Sequence, residues 1–267
     1  MIIHELKYST TNTYLIEGEK GILLFDTGWA GTFPAFCAAM GAIGIPVQRI
    51  QYILISHFHP DHMGIAQEIA DAGVTIAAAD VQRDFLHASD TVFAQENHSA
   101  FRPVRDDAVR FVSIGESRAF LKELGIRGEL LHTPGHSADS ISLWLDKEKA
   151  LLVGDLNPLY ELDMHKGTQI AESWEKLLSL RPKRVYYGHA KAAEPDRLFY
   201  QIHEADDGRY TLVRAIMKLT DKGYSAEDIQ ARTGADPVFV QDVIRMYLTH
   251  RNVSVQGILD RIEIKGR

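Results

Sequence analysis

A single cysteine, Cys37, stands in the 267-residue chain, so no disulfide can form within it. Stability has to come from a buried core, and a chain of this length can supply one without staples. Long apolar runs are missing too. None approaches the roughly 20 residues that a membrane-spanning helix needs. The opening MIIHELKYSTTNTYLI lacks a basic stretch followed by an apolar core, so no signal peptide is expected. Basic charge is not in excess. Lys and Arg number 29 against 36 Asp and Glu, a net charge of −7, which favours solubility and disfavours bulk attraction to nucleic acid. No internal repeat and no low-complexity segment is present. These absences favour a reducing, cytoplasmic setting and a small-molecule substrate over a membrane or nucleic-acid partner. A homodimer stays open.

What the chain has in plenty is histidine, twelve in all. Their meaning depends on the elements that carry them. Thr13 to Ile16 and Gly21 to Phe25 are short β-rich runs separated by the turn signal Glu17-Gly18-Glu19-Lys20, the pattern of a hairpin. Phe33 to Ile43 reads as a helix. Tyr52 to Ser56 reads as a buried strand, Gly64 to Ala72 as a helix and Val74 to Ala77 as a strand. The alternation continues through Glu129–His132, Ile141–Leu145, Ala150–Val153, a helix from Ser173 to Leu180, and Arg184–Tyr187. This is an α/β domain with mixed connections. Composition shifts near Ala205, so residues 1–204 are assigned to a catalytic domain and 205–267 to a helical subdomain. In the latter, Ser225 can cap a helix that begins Ala226-Glu227-Asp228 and ends at Thr233-Gly234. A further helix runs from Asp236 to Leu248.

Each apolar run that reads as a strand is followed by ionisable groups. Ser56-His57-Phe58-His59-Pro60-Asp61-His62 places four metal-binding side chains within six residues, with Pro60 stiffening the turn. Imidazole nitrogen and carboxylate oxygen are the donors that zinc and similar ions take. A solvated polar loop would need no such density. Thr133-Pro134-Gly135-His136, Gly154-Asp155 and Gly188-His189 repeat the arrangement at three later strand ends. Gly135, Gly154 and Gly188 permit close backbone approach beside a bound ion.

The order His-x-His-x-Asp-His, then His136, Asp155 and His189, preceded by Phe25-Asp26-Thr27-Gly28, resembles the metallo-beta-lactamase superfamily over residues 10–190. The resemblance implies an αββα sandwich with its site at one edge of two sheets. It implies one metal ion on His57, His59 and His136, and a second on Asp61, His62 and His189, with Asp155 bridging. Asp26 would orient a ligand histidine from behind. The ions would be divalent, zinc first, with manganese or iron as alternatives. Position 155 is neither Cys nor Ser and position 59 is not acidic. The pattern is therefore closest to the glyoxalase II-like and lactonase-like hydrolases, which cleave a small ester, lactone or thioester with a metal-bridging hydroxide. In that scheme Asp61 and Asp155 are the catalytic aspartates, Asp61 helping to pass a proton. An iron-dependent persulfide dioxygenase of the same superfamily is the alternative.

Three further expectations concern specificity. Asp80 to Arg110 is long for a connection and rich in aromatics, as a lid over the site would be, with His87 and His98 solvated. Tyr160 and His165 follow Asp155 closely enough to contact substrate, although a tyrosine packed elsewhere is the blander reading. Tyr186 and Tyr187 point to opposite faces of their strand, so at most one faces the site. The tail resembles a helix-turn-helix, but Asp236 and Asp242 accompany Arg245 on its last helix, a poor match for phosphate.

Overall fold

The computed structural model describes residues 1–96, 98–195, 208–250 and 253–266. Six strands lie side by side in chain order: β1 (Ile2–Leu6), β2 (Thr13–Glu17), β3 (Ile22–Phe25), β4 (Ile50–Leu54), β5 (Thr75–Ala79) and β6 (Val109–Val112). The first three pair antiparallel and the rest are parallel. A second sheet holds β7 (Gly128–His132), β8 (Ile141–Leu145), β9 (Ala150–Leu152) and β10 (Arg184–Tyr186) in the order β10-β9-β8-β7. Only its β9–β10 pair is parallel.

Side-chain alternation separates the faces. Tyr14, Ile16, Leu23 and Phe25 pack between the sheets against Leu130, Leu143 and Leu152. Leu15 and Leu24 point the other way, into a cluster with Phe36 and Met40 of α1 (Phe33–Ala42) and Ile69 of α3 (Ala66–Asp71). Leu151, Val153 and Val185 face outward from the second sheet. They are covered by Ile170, Trp174 and Leu177, one helical face of α6 (Gln169–Ser179). The layers are thus helix, sheet, sheet, helix, the expected αββα sandwich. Between β4 and β5 the chain forms a single turn, α2 (Pro60–Met63), before α3, in place of one helix from Gly64. Ser56 lies just beyond β4, not within it.

The expected lid is a wall of the core instead. In the stretch Asp80 to Arg110, which includes α4 (Asp90–Gln95), Leu86, Phe93 and Val104 are buried with the first sheet. Phe93 stacks on Phe101 at 3.9 Å and meets Trp29 edge-on. These rings are spent on the core before they can reach the site. His87 is half exposed between Asp90 and Asp106, as a solvated histidine would be. His98 is less open, with its Nδ1 buried and the ring against Phe93. The short α5 (Ser117–Glu123) leans on β7.

The expected boundary between residues 204 and 205 lies outside the described residues. Beyond it, α7 (Arg209–Asp221), α8 (Ala226–Thr233), α9 (Pro237–Thr249) and α10 (Val255–Lys265) follow one another. Ser225 caps α8 through the amide of Asp228, and Gly234, at φ +67°, ends it. The apolar faces of these helices do not await the catalytic domain. Val213, Ile216, Ile229, Val240, Val243 and Ile258 bury one another in a separate cluster. The helical unit meets the rest through polar contacts. Tyr160 donates to Asp260 at 2.8 Å, the amide of Ser254 donates to Glu161 at 2.8 Å, and Lys191 pairs with Glu263. Arg245, the cation a groove-reading helix would use, pairs with Asp242, which also holds Lys265. No helix among the described residues is long and apolar enough to cross a membrane.

Candidate metal centre

Strand direction explains why distant segments meet. β3, β4, β7, β9 and β10 all end at one edge of the sandwich, because β7 and β9 are both antiparallel to β8 and β9 is parallel to β10. The segments that follow them carry Asp26, His57 to His62, His136, Asp155 and His189. Carboxyl ends of strands are where open α/β sheets place ligands. All seven ligands expected from the sequence are brought together there, in two groups.

The first group is His57, His59 and His136. His57 Nε2 lies 3.0 Å from His59 Nδ1, which lies 3.1 Å from His136 Nε2. Ser56 Oγ spends its one proton on Asp26 Oδ2 at 2.9 Å. It must then accept from His57 Nδ1, 3.0 Å away, which leaves the lone pair of His57 Nε2 facing the group. Burial and the positive potential of His62 hold His57 well below the ordinary histidine pKa. Burial likewise pushes His136 down to about 4, against the pull of Asp155. Neutral imidazoles with converging lone pairs are what a cation requires.

The second group is Asp61, His62, Asp155 and His189. Asp26 accepts from His62 Nδ1 at 2.9 Å, so His62 Nε2 is aimed at the group, the orienting role expected of Asp26. His189 Nδ1 donates to the carbonyl of Thr10 at 3.0 Å, and its Nε2 reaches Asp61 Oδ2 at 2.8 Å. Burial opposes the charged form of each member, but the partners outweigh it. Asp155 raises His62 and His189, while the two histidines hold Asp61 and Asp155 below the carboxylate range. Asp155 sits between the groups, with Oδ1 3.1 Å from His62 Nε2 and Oδ2 3.7 Å from His136 Nε2 and 3.4 Å from His189 Nε2.

A metal fits this donor set. His62 Nε2 and Asp155 Oδ1 are buried and, despite their proximity, are not aligned for a hydrogen bond; neither has one among the described residues. Unpaired buried polar atoms are costly, and a cation between them would remove the cost. Gly188 marks how tight the site is. A Cβ there would lie 2.5 Å from Asp155 Oδ1 and 2.8 Å from His62 Cε1. Gly188→Ala is expected to displace both, lowering bound metal and cutting turnover about 100-fold while circular dichroism stays native. Unchanged metal content would count against the placement of these two donors.

Several supporting residues carry no metal-ligand signal in the sequence. Gln82 Nε2 donates to the carbonyls of Ile55, Ser56 and Asp139, tying both ligand loops together. Asp139 accepts from the amide of Phe58 at 2.7 Å and from Ser137. Thr11 donates to Asp61 at 3.2 Å, and Asn12 holds the carbonyls of Tyr187 and Ala190 around His189. A polar residue far along the chain is visible as a clamp only once the loops are adjacent.

The donors open into a cavity of about 720 Å³. His59, Asp61, His136, Asp155 and His189 line it, together with Asn157, His165 and Gln169 and with His250 and Arg261 from the helical unit. His165 therefore does border the cavity, whereas Tyr160 does not. Tyr160 gives its hydroxyl to Asp260, and burial beside that carboxylate raises its pKa well above the ordinary value. Tyr186 and Tyr187 face opposite clusters and neither lines the cavity. His132 bonds the carbonyl of Ala138, a structural role beside the His136 loop.

The family model described as Metallo-beta-lactamase superfamily matches residues 7–189, and the chain belongs to that superfamily. It is 30% identical over 220 residues to the Beta-lactamase-like protein 2 homolog of Caenorhabditis elegans, covering 78% of this chain and 65% of that protein. It is 26% identical over 150 residues to an atrochrysone carboxyl ACP thioesterase of Aspergillus fumigatus, covering 54% of this chain and 29% of that protein. The chain thus spans less than two thirds of the length of either relative. In fold it is similar to a metallo-beta-lactamase family protein from Thermus thermophilus, with a TM-score of 0.60 at 19% identity over 98% of this chain and 92% of that one.

Proposed function

We propose that the protein is a dinuclear metallohydrolase that cleaves a small ester, lactone or thioester. The observation that carries this reading is the pair of adjoining donor groups, three histidines and a two-aspartate, two-histidine set, opening together onto one cavity. The similarity to a protein named as a thioesterase agrees with the substrate class. Divalent ions, zinc first, would supply a water ionised near neutral pH and polarise the carbonyl under attack. His57, His59 and His136 would hold one ion and Asp61, His62 and His189 the other, with Asp155 between them.

The chain's own residues do the rest. Asp26 and Ser56 fix the His57 and His62 rings, so the donors need little reorganisation. Asp61 lines the cavity beside Thr11 and His189, which places its carboxyl to pass a proton to the leaving oxygen or sulfur. A cytoplasmic setting belongs to the same reading, given the free thiol of Cys37.

The test is turnover of an ester, lactone and thioester panel under strict anaerobiosis, with zinc or manganese as the only metal. Hydrolysis is expected on at least one class, with a rate that rises with pH and levels near neutrality. If every substrate is inert while iron-loaded protein consumes oxygen with a persulfide, the dioxygenase replaces the hydrolase.

A further inference from the structure

Part of the cavity wall is not explained by breaking an ester. Arg261 of α10 lines it from the helical unit and His165 from the end of the 3-10 helix Leu159–His165 that precedes α6. Each has a buried nitrogen without a partner among the described residues. Arg261 makes one hydrogen bond among the described residues, from Nη1 to the carbonyl of Gly257 in its own helix, and its buried Nε has none. His165 is 4% exposed, and its buried Nε2 also has no partner among the described residues. The amino end of α6 adds a third electropositive element. Gln169 and Ile170 line the cavity, and Thr168 gives that eleven-residue helix no side-chain cap.

The neighbouring carboxylates are already engaged. Glu161 accepts from the amide of Ser254 and from Asn157 Nδ2. Asp260 accepts from Tyr160 and from Gln256. Each is satisfied by other groups, and neither is hydrogen-bonded to Arg261, which lines the cavity. A buried polar atom that no described group pairs with is costly unless a ligand completes it.

We propose that Arg261, His165 and the amino end of α6 form a subsite for an anionic oxygen group, a carboxylate or a phosphate monoester, carried by the small-molecule substrate. The group belongs to a part of the substrate other than the reacting bond, an assignment that rests on the hydrolase reading. Arginine suits the task because its planar fork meets two oxygens of such a group at once. The wall belongs to the helical unit as much as to the sandwich, so the unit takes part in selecting substrate.

The experiment uses the full-length, metal-loaded protein and a thioester series with one leaving thiol and acyl tails ending in methyl, carboxylate or phosphate. Arg261→Gln is expected to lower kcat/KM for one or both charged tails about 30-fold, chiefly through KM, and to change the methyl tail less than about threefold. Arg261→Lys should fall between, and His165→Gln should lose about tenfold on the charged tails alone. The tail that suffers identifies the anion. Calorimetric titration with glutarate and with glycerol phosphate supplies a readout independent of turnover, and binding should weaken about tenfold in Arg261→Gln. Melting curves of each variant check that α10 still docks. Equal losses on neutral and charged tails, or anion binding unchanged by Arg261→Gln, overturn the subsite even if hydrolysis stands. Arg261-dependent anion binding with no substrate hydrolysed keeps the subsite and removes the hydrolase. Dependence on Arg261 only for a single-stranded oligonucleotide, with both small anions unaffected, also overturns it.

Discussion

Replacing Asp155 by alanine is expected to lower turnover at least about 1000-fold and to remove bound metal, while the fold persists. Geometry makes this the most sensitive position. Among the described carboxylates, only Asp155 forms ion pairs with histidines of both groups, at 3.1 Å from His62, 3.4 Å from His189 and 3.7 Å from His136. Its Oδ1 is buried without a hydrogen bond among the described residues, a cost that a bound cation would remove. Removing it also withdraws the negative charge that raises His62 and His189 above the ordinary histidine range. The measurements are elemental analysis after metal loading, steady-state kinetics and a thermal melt. Near-wild-type metal content together with activity would refute the bridging role. A melt that shows no cooperative transition would show that the carboxylate supports the fold itself.

The second large effect is expected from the helical unit. A chain ending at Pro195 should keep a cooperative melt and its metal, yet lose about 100-fold in kcat/KM. The division follows from where each kind of residue sits. All seven candidate metal donors precede the cut, and the unit's apolar residues bury one another in a cluster of their own. Thr249, His250, Val253 and Arg261, however, line the same cavity as the donors. Without them the substrate would lie against water on one side. A truncated chain as active as the whole would show that the unit is a passenger. Loss of metal as well would show that it braces the ligand loops, with Glu161, bonded to both Ser254 and Asn157, as the link tested next by Glu161→Ala.

The candidate metal donors were legible from sequence because the chemistry tolerates few substitutes. A His-x-His-x-Asp-His run after an apolar strand, with glycine-flanked histidine or aspartate after later strands, has no simple packing explanation. Short β-rich and apolar runs also identified β2 to β5 and all four strands of the second sheet. β1 and β6 escaped notice because they are short edge strands with half-exposed side chains and no clean alternation. Asp80 to Arg110 read as a lid because aromatics in a long connection look the same whether they cover a cavity or a sheet. Tyr160 followed the expected bridging aspartate in sequence, but its hydroxyl found Asp260 a hundred residues later. Which of several polar groups a side chain meets depends on long-range packing, which sequence spacing does not encode.

The sequence by itself determined the candidate donor set, an α/β domain and the helical character of the tail, since ligand type and hydrophobic period are local properties; the αββα layering was implied by the family resemblance. Tertiary structure alone decided that Asp26 orients His62, that Gln82 and Asp139 clamp the ligand loops, and that Arg261 and His165 face the same cavity. Those relations join residues from separate elements. They exist only because strand direction gathers five strand ends at one edge and because the polar docking of α10 closes the space above them.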